Sequence, residues 1–141
     1  MEGPVRITVT SRSLFDGGDE TLHFSGAGTL RPTAAGWDLP YTAACRENGA
    51  ALSSRIRLTA EPRRAILWTL GPEGYGLPLD PEHETQARLP LGLTVAVRTG
   101  AVEFSLEEPD RGYIHLAYTL LDRGLPLSRM QLEIRMTKET I

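Results

Sequence analysis

Cysteine and histidine are the residue types in this chain that could supply a nucleophile, a base or a metal ligand. The sequence has one cysteine, Cys45, and three histidines, His23, His83 and His115, in separate segments. A cysteine nucleophile needs a neighbouring base and a lowered pKa, and Cys45 has no partner nearby in the sequence. A single cysteine also rules out an internal disulfide framework and a multi-cysteine zinc site. We therefore expect Cys45 to be a small buried side chain and the histidines to lie at the surface.

Two short motifs imitate known sites but lack residues that those sites require. Gly26-x-Gly28 resembles the start of a dinucleotide fingerprint, yet no third glycine and no helical pattern follow it. His83-Glu84 opens like a zinc-protease motif, but Ala87 stands where the second histidine ligand would be. The sequence also has no Gly-x-Ser-x-Gly nucleophile motif. It therefore predicts no metal, no cofactor and no enzymatic activity.

Arginine supplies 14 of the 15 basic residues. A guanidinium on a strand can bind an anion or pair with a carboxylate across the sheet. Glu103 and Glu133 occupy polar-face positions, which favours ion pairs over an anion-binding stripe. The formal charge of −3 argues against a nucleic-acid partner or an anionic membrane. The arginines on polar faces of predicted strands are Arg55, Arg57, Arg98, Arg129 and Arg135.

Length and composition indicate an ordinary globular protein. The 141 residues fit a single domain over 1–141, with 40% hydrophobic and 23% charged residues. The sequence has neither a signal-peptide pattern nor an apolar stretch of about 18 residues that could span a membrane. We expect a cytoplasmic protein, and a single unpaired cysteine agrees with that location.

Apolar and polar residues alternate at the period of a β-strand along most of the chain. The pattern is clear at residues 5–9, 114–120 and 130–136, and glycine, proline, aspartate and asparagine separate the runs. No run keeps the spacing of an amphipathic helix. The sequence therefore predicts about eight to ten antiparallel strands that bury their apolar faces by closing into a barrel.

The aromatic residues point to the interior of this barrel. Six of them share the parity of the apolar positions on their strands, and a serine falls on such a face as well. These side chains either fill a solid core or line a partly hollow barrel, in which Tyr41, Ser54 and Tyr118 provide polar contacts to a ligand. The proline-rich residues 71–90 predict an edge strand, a loop or a lid over the mouth. The predicted lining residues are Phe24, Trp37, Tyr41, Ser54, Trp68, Phe104 and Tyr118.

Several features follow one another in a set order along the chain: the alternating start, Phe24 with Gly28, Leu39-x-Tyr41, residues 54–58, Gly71, Gly92 and residues 112–118. Their order resembles the YwiB-like family of bacterial domains of unknown function. The resemblance covers about residues 5–137 and implies a calycin-like, lipocalin-like up-and-down barrel. This chain departs from the family pattern at three places. Ala43 and Ala44 stand where an acidic residue is usual, and Ser54 stands where a threonine is usual. Thr69 or Leu70 stands where an arginine usually precedes the hairpin glycine.

Two functions follow from this interpretation. The first is a non-enzymatic barrel that binds a small apolar or amphipathic molecule in its interior. The alternative is a protein-interaction module with a solid core, which acts through the barrel exterior or as a homodimer.

Overall fold

A computed structural model describes residues 1–71 and 74–139 of the chain, so Pro72 and Glu73 of the proline-rich segment 71–90 lie outside the described residues. A 3-10 turn at Pro90–Gly92 interrupts the strands. No helix in the described part of the chain is long and apolar enough to span a membrane. The strands are β1 (Gly3–Phe15), β2 (Gly18–Pro32), β3 (Gly36–Cys45), β4 (Ala51–Thr59), β5 (Arg64–Thr69), β6 (Tyr75–Leu79), β7 (Thr85–Arg88), β8 (Thr94–Ser105), β9 (Arg111–Asp122) and β10 (Leu125–Lys138).

The strands form one antiparallel sheet that curls into a nearly closed barrel. Each strand pairs with its neighbour in sequence, except β6 with β7, and β1 pairs with β10 along residues 5–15. The break in the ring lies between β6 and β7, where the Thr85 hydroxyl donates a hydrogen bond to the Pro78 carbonyl at 2.5 Å. These findings confirm the predicted all-β, up-and-down antiparallel barrel, with ten strands.

The two ends of the barrel are built from different connections. The upper end holds the chain termini and the connections β2–β3, β4–β5, β6–β7 and β8–β9, because the strands alternate in direction. The lower end holds the remaining connections, β1–β2, β3–β4, β5–β6, β7–β8 and β9–β10. The side chains that fill the interior also differ between the upper and the lower end.

The upper half of the barrel contains a tight apolar core. Inward positions of β1, β9 and β10 alternate there as the sequence predicts, with outward neighbours such as Arg6 and Arg135 exposed. Burial of this many large side chains is the main stabilising contribution. The fully buried large residues of this half are Val5, Ile7, Leu30, Leu39, Ile56, Leu58, Leu79, Leu106, Ile114, Leu116, Ile134 and Met136.

The predicted interior position of Trp68, on β5, is wrong. Ala65 and Leu67 are buried inside the barrel, which places Ile66 and Trp68 on its outer face. The four consecutive apolar residues give both faces of β5 an apolar character, so periodicity alone could not choose between them. Leu91 has a positive φ of 68° in the 3-10 turn and is fully exposed.

Two glycines in β2 allow this strand to approach β3 closely. Gly26 and Gly28 lie opposite Ala43 and Tyr41. A Cβ atom at Gly26 would lie 1.9 Å from the carbonyl oxygen of Thr42, and one at Gly28 would lie 2.6 Å from that of Pro40. Glycine is therefore required where these strands bend to close the barrel.

We expect Gly26→Ala to lower the free energy of unfolding by about 1–3 kcal/mol, because the added methyl group overlaps the backbone of β3. Gly100→Ala is the matched control, since its nearest neighbour would be the Ala117 carbonyl oxygen at 3.7 Å. That control should leave stability unchanged or raise it slightly. Urea unfolding of both variants checks the prediction, which is wrong if they behave alike.

Candidate functional site

The predicted lining residues separate into three groups. Phe24, Tyr41, Ser54 and Tyr118 face the lower half of the barrel interior. The side chains of Trp37 and Phe104 also pack against the core, but at the upper end. Trp68 lies on the outer face, so its predicted place in the interior is wrong.

Trp37 and Phe104 belong to the closure of the upper end. Phe104 lies opposite Ile114, and the guanidinium carbon of Arg63, from the β4–β5 connection, lies 4.3 Å from its ring centroid. The side chain of Met1 packs against the same core, and its amino group donates a hydrogen bond to the Leu106 carbonyl at 3.1 Å. These side chains therefore cover the upper end of the barrel.

The lower half contains four buried or nearly buried hydroxyl groups on inward side chains. Tyr41, Tyr118 and Thr99 are 5%, 7% and 8% exposed, and Ser54 is 2% exposed. Ser54 donates a hydrogen bond to the Trp68 carbonyl at 2.7 Å, so this hydroxyl also ties β4 to β5. The Thr99 Oγ1 atom has no hydrogen-bond partner among the described residues. An unpaired buried hydroxyl is costly, and each such group requires an explanation.

The phenols of the lower half are close enough to affect one another. Burial raises the pKa of Tyr118 well above its ordinary value, and the proximity of Tyr75 and Tyr41 raises it further. Burial also raises the pKa of Tyr41, while an interaction with Ser54 acts in the opposite direction. Both phenols therefore keep their protons at neutral pH and can donate hydrogen bonds into the interior.

Two members of this polar group were not predicted from the sequence. Thr99 follows Val95 and Val97 at the same parity, so it continues the inward face of β8. The pairing of β8 with β9 shifts between Thr99 and Ala101, and beyond this shift the residues no longer keep the same alternation. Tyr75 begins a Tyr-x-Leu-x-Leu run whose strand character is obscured by Pro78. That run could have identified β6 inside the segment at 71–90.

The lower half is also more loosely covered than the upper half. Its inward side chains include Leu52, Tyr75, Leu120 and Met130, all only partly buried. An apolar rim surrounds this end, because every large hydrophobic side chain found exposed in the described residues lies on or beside a lower connection. The apolar rim consists of Leu14, Phe15, Leu70, Leu91, Leu93, Leu125 and Leu127.

The three departures from the family pattern meet in this lower half. Ala43 is buried opposite Leu52, and Ser54 lies between Tyr41 and Thr69 in the register of β3, β4 and β5. Thr69 in turn lies opposite Tyr75. The three positions therefore lie in one region of the barrel, in which Tyr41, Ser54 and Thr69 carry hydroxyl groups.

Cys45 and His23 come together with a residue that sequence reasoning did not single out. Glu47 accepts hydrogen bonds from the His23 backbone N–H at 2.6 Å, and its other oxygen lies 3.0 Å from His23 Nδ1. The Cys45 thiol is buried, and its sulfur lies 3.7 Å from Glu47 Oε1. The hydrogen bonds from His23 lower the pKa of Glu47 to about 2. The carboxylate thus lies between the thiol and the imidazole and fastens the β3–β4 hairpin to β2.

The other histidines lie in separate places. His115 Nδ1 is 4.0 Å from Glu103, and His83 belongs to the β6–β7 connection with Asp80 and Glu82. The ligand-type atoms of these last three residues lie within 4.8 Å of one another. Asp80 already accepts a hydrogen bond from the Glu82 backbone at 2.9 Å and pairs with Arg64 at 3.2 Å. These contacts hold the β6–β7 connection in place, and they account for the closeness of the three side chains without a metal ion.

Several surface arginines pair with carboxylates, as the sequence favours, but the partners differ. Arg55 binds Asp38 through two hydrogen bonds of 2.8 and 2.9 Å, and Arg98 lies 3.4 Å from Glu84. The predicted partner Glu103 contacts a histidine instead. Arg135 lies over the ring of Tyr113, 5.1 Å from its centroid.

Comparison with known proteins gives a class of fold and a similar structure. No protein-family model matches the sequence, and no curated protein matches it. The molecule is a ten-stranded up-and-down β-barrel, and it is similar to the crystal structure of the YwiB protein from Bacillus subtilis. That similarity has a TM-score of 0.76 and 18% sequence identity, and covers 99% of this chain and 94% of that chain. It shows a shared fold and confirms, at the level of fold, the resemblance noted in the sequence.

A second comparison is much weaker. DynF from the dynemicin biosynthesis pathway of Micromonospora chersina aligns with a TM-score of 0.39 and 16% identity, over 96% of this chain and 79% of that chain. A similarity at this level supports no conclusion about this protein.

The buried phenols predict a specific response to alkali. Tyr41 and Tyr118 should ionise above the ordinary phenol value of about 10, because burial disfavours the phenolate. Since these phenols titrate at a lower pH when unfolded, the free energy of unfolding should fall as the pH rises above about 10. Phenolate absorbance as a function of pH measures the ionisation. The Tyr118→Phe variant should lose the part of the titration that occurs at the highest pH. Complete ionisation of all tyrosines near pH 10 would contradict the burial.

The unpartnered hydroxyl of Thr99 predicts that its removal stabilises the protein. Thr99→Val keeps the shape of the side chain and removes a buried unpaired group, so we expect the free energy of unfolding to rise by about 1 kcal/mol. Thr8→Val, on the exposed face of β1, is the control and should have little effect. Thermal unfolding of the ligand-free proteins measures both. A loss of stability in Thr99→Val alone would mean that the hydroxyl is satisfied.

Proposed function

We propose that this protein is a non-enzymatic, calycin-like barrel that binds a small amphipathic molecule in the lower half of its interior. The observation that carries the proposal is the Thr99 hydroxyl, which has no hydrogen-bond partner among the described residues and lies opposite Tyr118. Leu52, Tyr75, Leu120 and Met130 in the same half of the barrel are only partly buried. A ligand that accepts or donates a hydrogen bond there would satisfy a group that the described residues leave unpaired. Apolar walls with a few placed polar groups are typical of small-molecule sites.

The chemistry of the lining restricts the ligand. The buried polar side chains of the described residues are Asp38, Ser54 and Thr99, and Asp38 belongs to the outer face of β3, where it binds Arg55. The interior therefore offers hydroxyl groups without a charged partner, and an ion placed there would lose its hydration without compensation. We infer a ligand with an apolar body and an uncharged hydrogen-bonding group; any charge it carries stays at the mouth.

Binding fits the lining better than catalysis does. The phenols of Tyr41 and Tyr118 have raised pKa values, so they remain protonated and serve as hydrogen-bond donors rather than as bases or nucleophiles at neutral pH. The apolar rim at the lower end offers a surface over which an apolar molecule could reach the interior. The proposal includes a cytosolic location, where the thiol of Cys45 would stay reduced.

Titration with a fluorescent anilinonaphthalene sulfonate tests the proposal, because the apolar rings of this dye can probe the interior of the barrel. We expect saturable binding that Leu52→Trp weakens at least about tenfold, because the larger ring fills the lower half from the inward face of β4. Ser53→Trp is the matched control: the same ring is added one residue away on an exposed position.

The outcomes separate the site from the surface. Retained binding in Ser53→Trp together with loss in Leu52→Trp supports an interior site. Equal binding in both variants would assign the probe to the apolar rim, and absence of saturable binding to the natural chain would contradict the proposal. Urea unfolding of each variant confirms that it is folded at the temperature of the titration.

The alternative function is a module that acts through the exterior of the barrel. One observation favours it, namely a half-buried tryptophan that lies among arginines on the outer face of β5.

A further inference from the structure

The outer face of β2 to β5 carries a group of side chains that the interior site does not use. We call it the arginine–tryptophan face. Trp68 points outward, and the guanidinium carbons of Arg55 and Arg57 lie 5.7 and 5.5 Å from its ring centroid. Its members are Arg31, Asp38, Arg55, Arg57 and Trp68.

The position of the Trp68 ring is fixed by its neighbours. The ring extends across β6 at Gly76, where a Cβ atom would lie 2.9 Å from both Cδ1 and Nε1 of the indole. The absence of a side chain at Gly76 on β6 thus leaves space for the indole ring. On the other side of the ring, the guanidinium groups of Arg55 and Arg57 on β4 pack against it. A large aromatic side chain with few conformations available, lying beside arginine, is typical of the residues that dominate protein interfaces.

The charge of this face is not balanced. Asp38 is only 7% exposed and binds Arg55 with both oxygens. Arg55 lowers the pKa of Asp38 most strongly, and Arg57 and Arg31 are close enough to lower it further. In the part of the chain described here, neither Arg31 nor Arg57 forms an ion pair with a carboxylate. The single carboxylate of Asp38 therefore lies near three guanidinium groups, so this face is locally positive although the formal charge of the protein is −3.

A groove continues from this face toward the upper end. It encloses about 330 Å³, and Ile66 and Pro78 contribute apolar surface beside Arg57. The Arg64–Asp80 ion pair, at 3.2 Å, contributes to its lining. The groove thus offers apolar contact next to the guanidinium of Arg57, which pairs with no carboxylate of residues 1–71 and 74–139.

We propose that the arginine–tryptophan face and this groove dock an acidic segment of a protein partner that also carries apolar side chains. Carboxylates of the segment pair with Arg57 and Arg31, and an apolar side chain lies in the groove against Ile66. Charge complementarity of this kind selects the partner and speeds association. A nucleic acid fits less well, because Asp38 and Asp80 lie on the same surface and the surplus of cations is small.

Fluorescence anisotropy with a labelled synthetic peptide of alternating glutamate and leucine, about ten residues long, tests this proposal. We expect binding at low salt that weakens as ionic strength rises. Arg57→Glu and Trp68→Ala should each weaken it at least about tenfold. Arg135→Glu is the matched control, since it makes the same charge change at an arginine that also lies over an aromatic ring, on β10. Its affinity should stay close to that of the natural chain.

Each other outcome would overturn the proposal. Equal loss of affinity in Arg57→Glu and Arg135→Glu would mean that net charge alone is responsible. Equal binding of a peptide with glutamine in place of glutamate would remove the electrostatic basis, and tighter binding of a single-stranded oligothymidylate would assign the face to nucleic acid. Absence of peptide binding to the natural chain would also contradict it, and circular dichroism would verify that every variant is folded.

Discussion

The antiparallel pairing of β1 with β10 joins the two ends of the meander and turns a ten-stranded sheet into a barrel. An interior formed by about eight strands can just be filled by side chains or hold one small ligand, and two further strands enlarge it. Among the described strands, closure leaves unpaired edges on the short strands β6 and β7, where the Thr85 side chain bridges to Pro78. The packing of the interior and the character of its two ends follow from this ring.

The interior is packed unevenly, and that unevenness connects the fold to the proposed function. Branched aliphatic side chains fill the upper half, whereas the lower half contains tyrosine, serine and threonine hydroxyls beside half-buried leucines. A core selected for stability alone would contain apolar groups where Thr99 stands, because a buried hydroxyl without a partner costs free energy. Departures from local rules of this kind are expected at functional sites. The apolar rim lies at the same end of the barrel as the inward hydroxyl groups, so the two features are adjacent.

Much of the fold could be predicted from the sequence because most strands have one polar and one apolar face. β1, β9 and β10 follow this pattern, and the barrel was predicted correctly from them. β5 did not follow it, because residues 65–68 are all apolar and Trp68 gains contacts with Arg55 and Arg57 outside. Of the predicted lining, Phe24, Tyr41, Ser54 and Tyr118 do share the lower half. Which end of the barrel each strand residue occupies depends on the tilt and register of all ten strands, and local alternation carries no information about that.

Native mass spectrometry of the protein purified gently from its own host, beside the denatured protein, tests most directly whether the lower half holds a ligand. We expect a noncovalent mass that accompanies the folded chain, disappears on denaturation and is absent from the Leu52→Trp variant. A folded chain with only its polypeptide mass, together with the same probe binding in Leu52→Trp as in the natural chain, would contradict it.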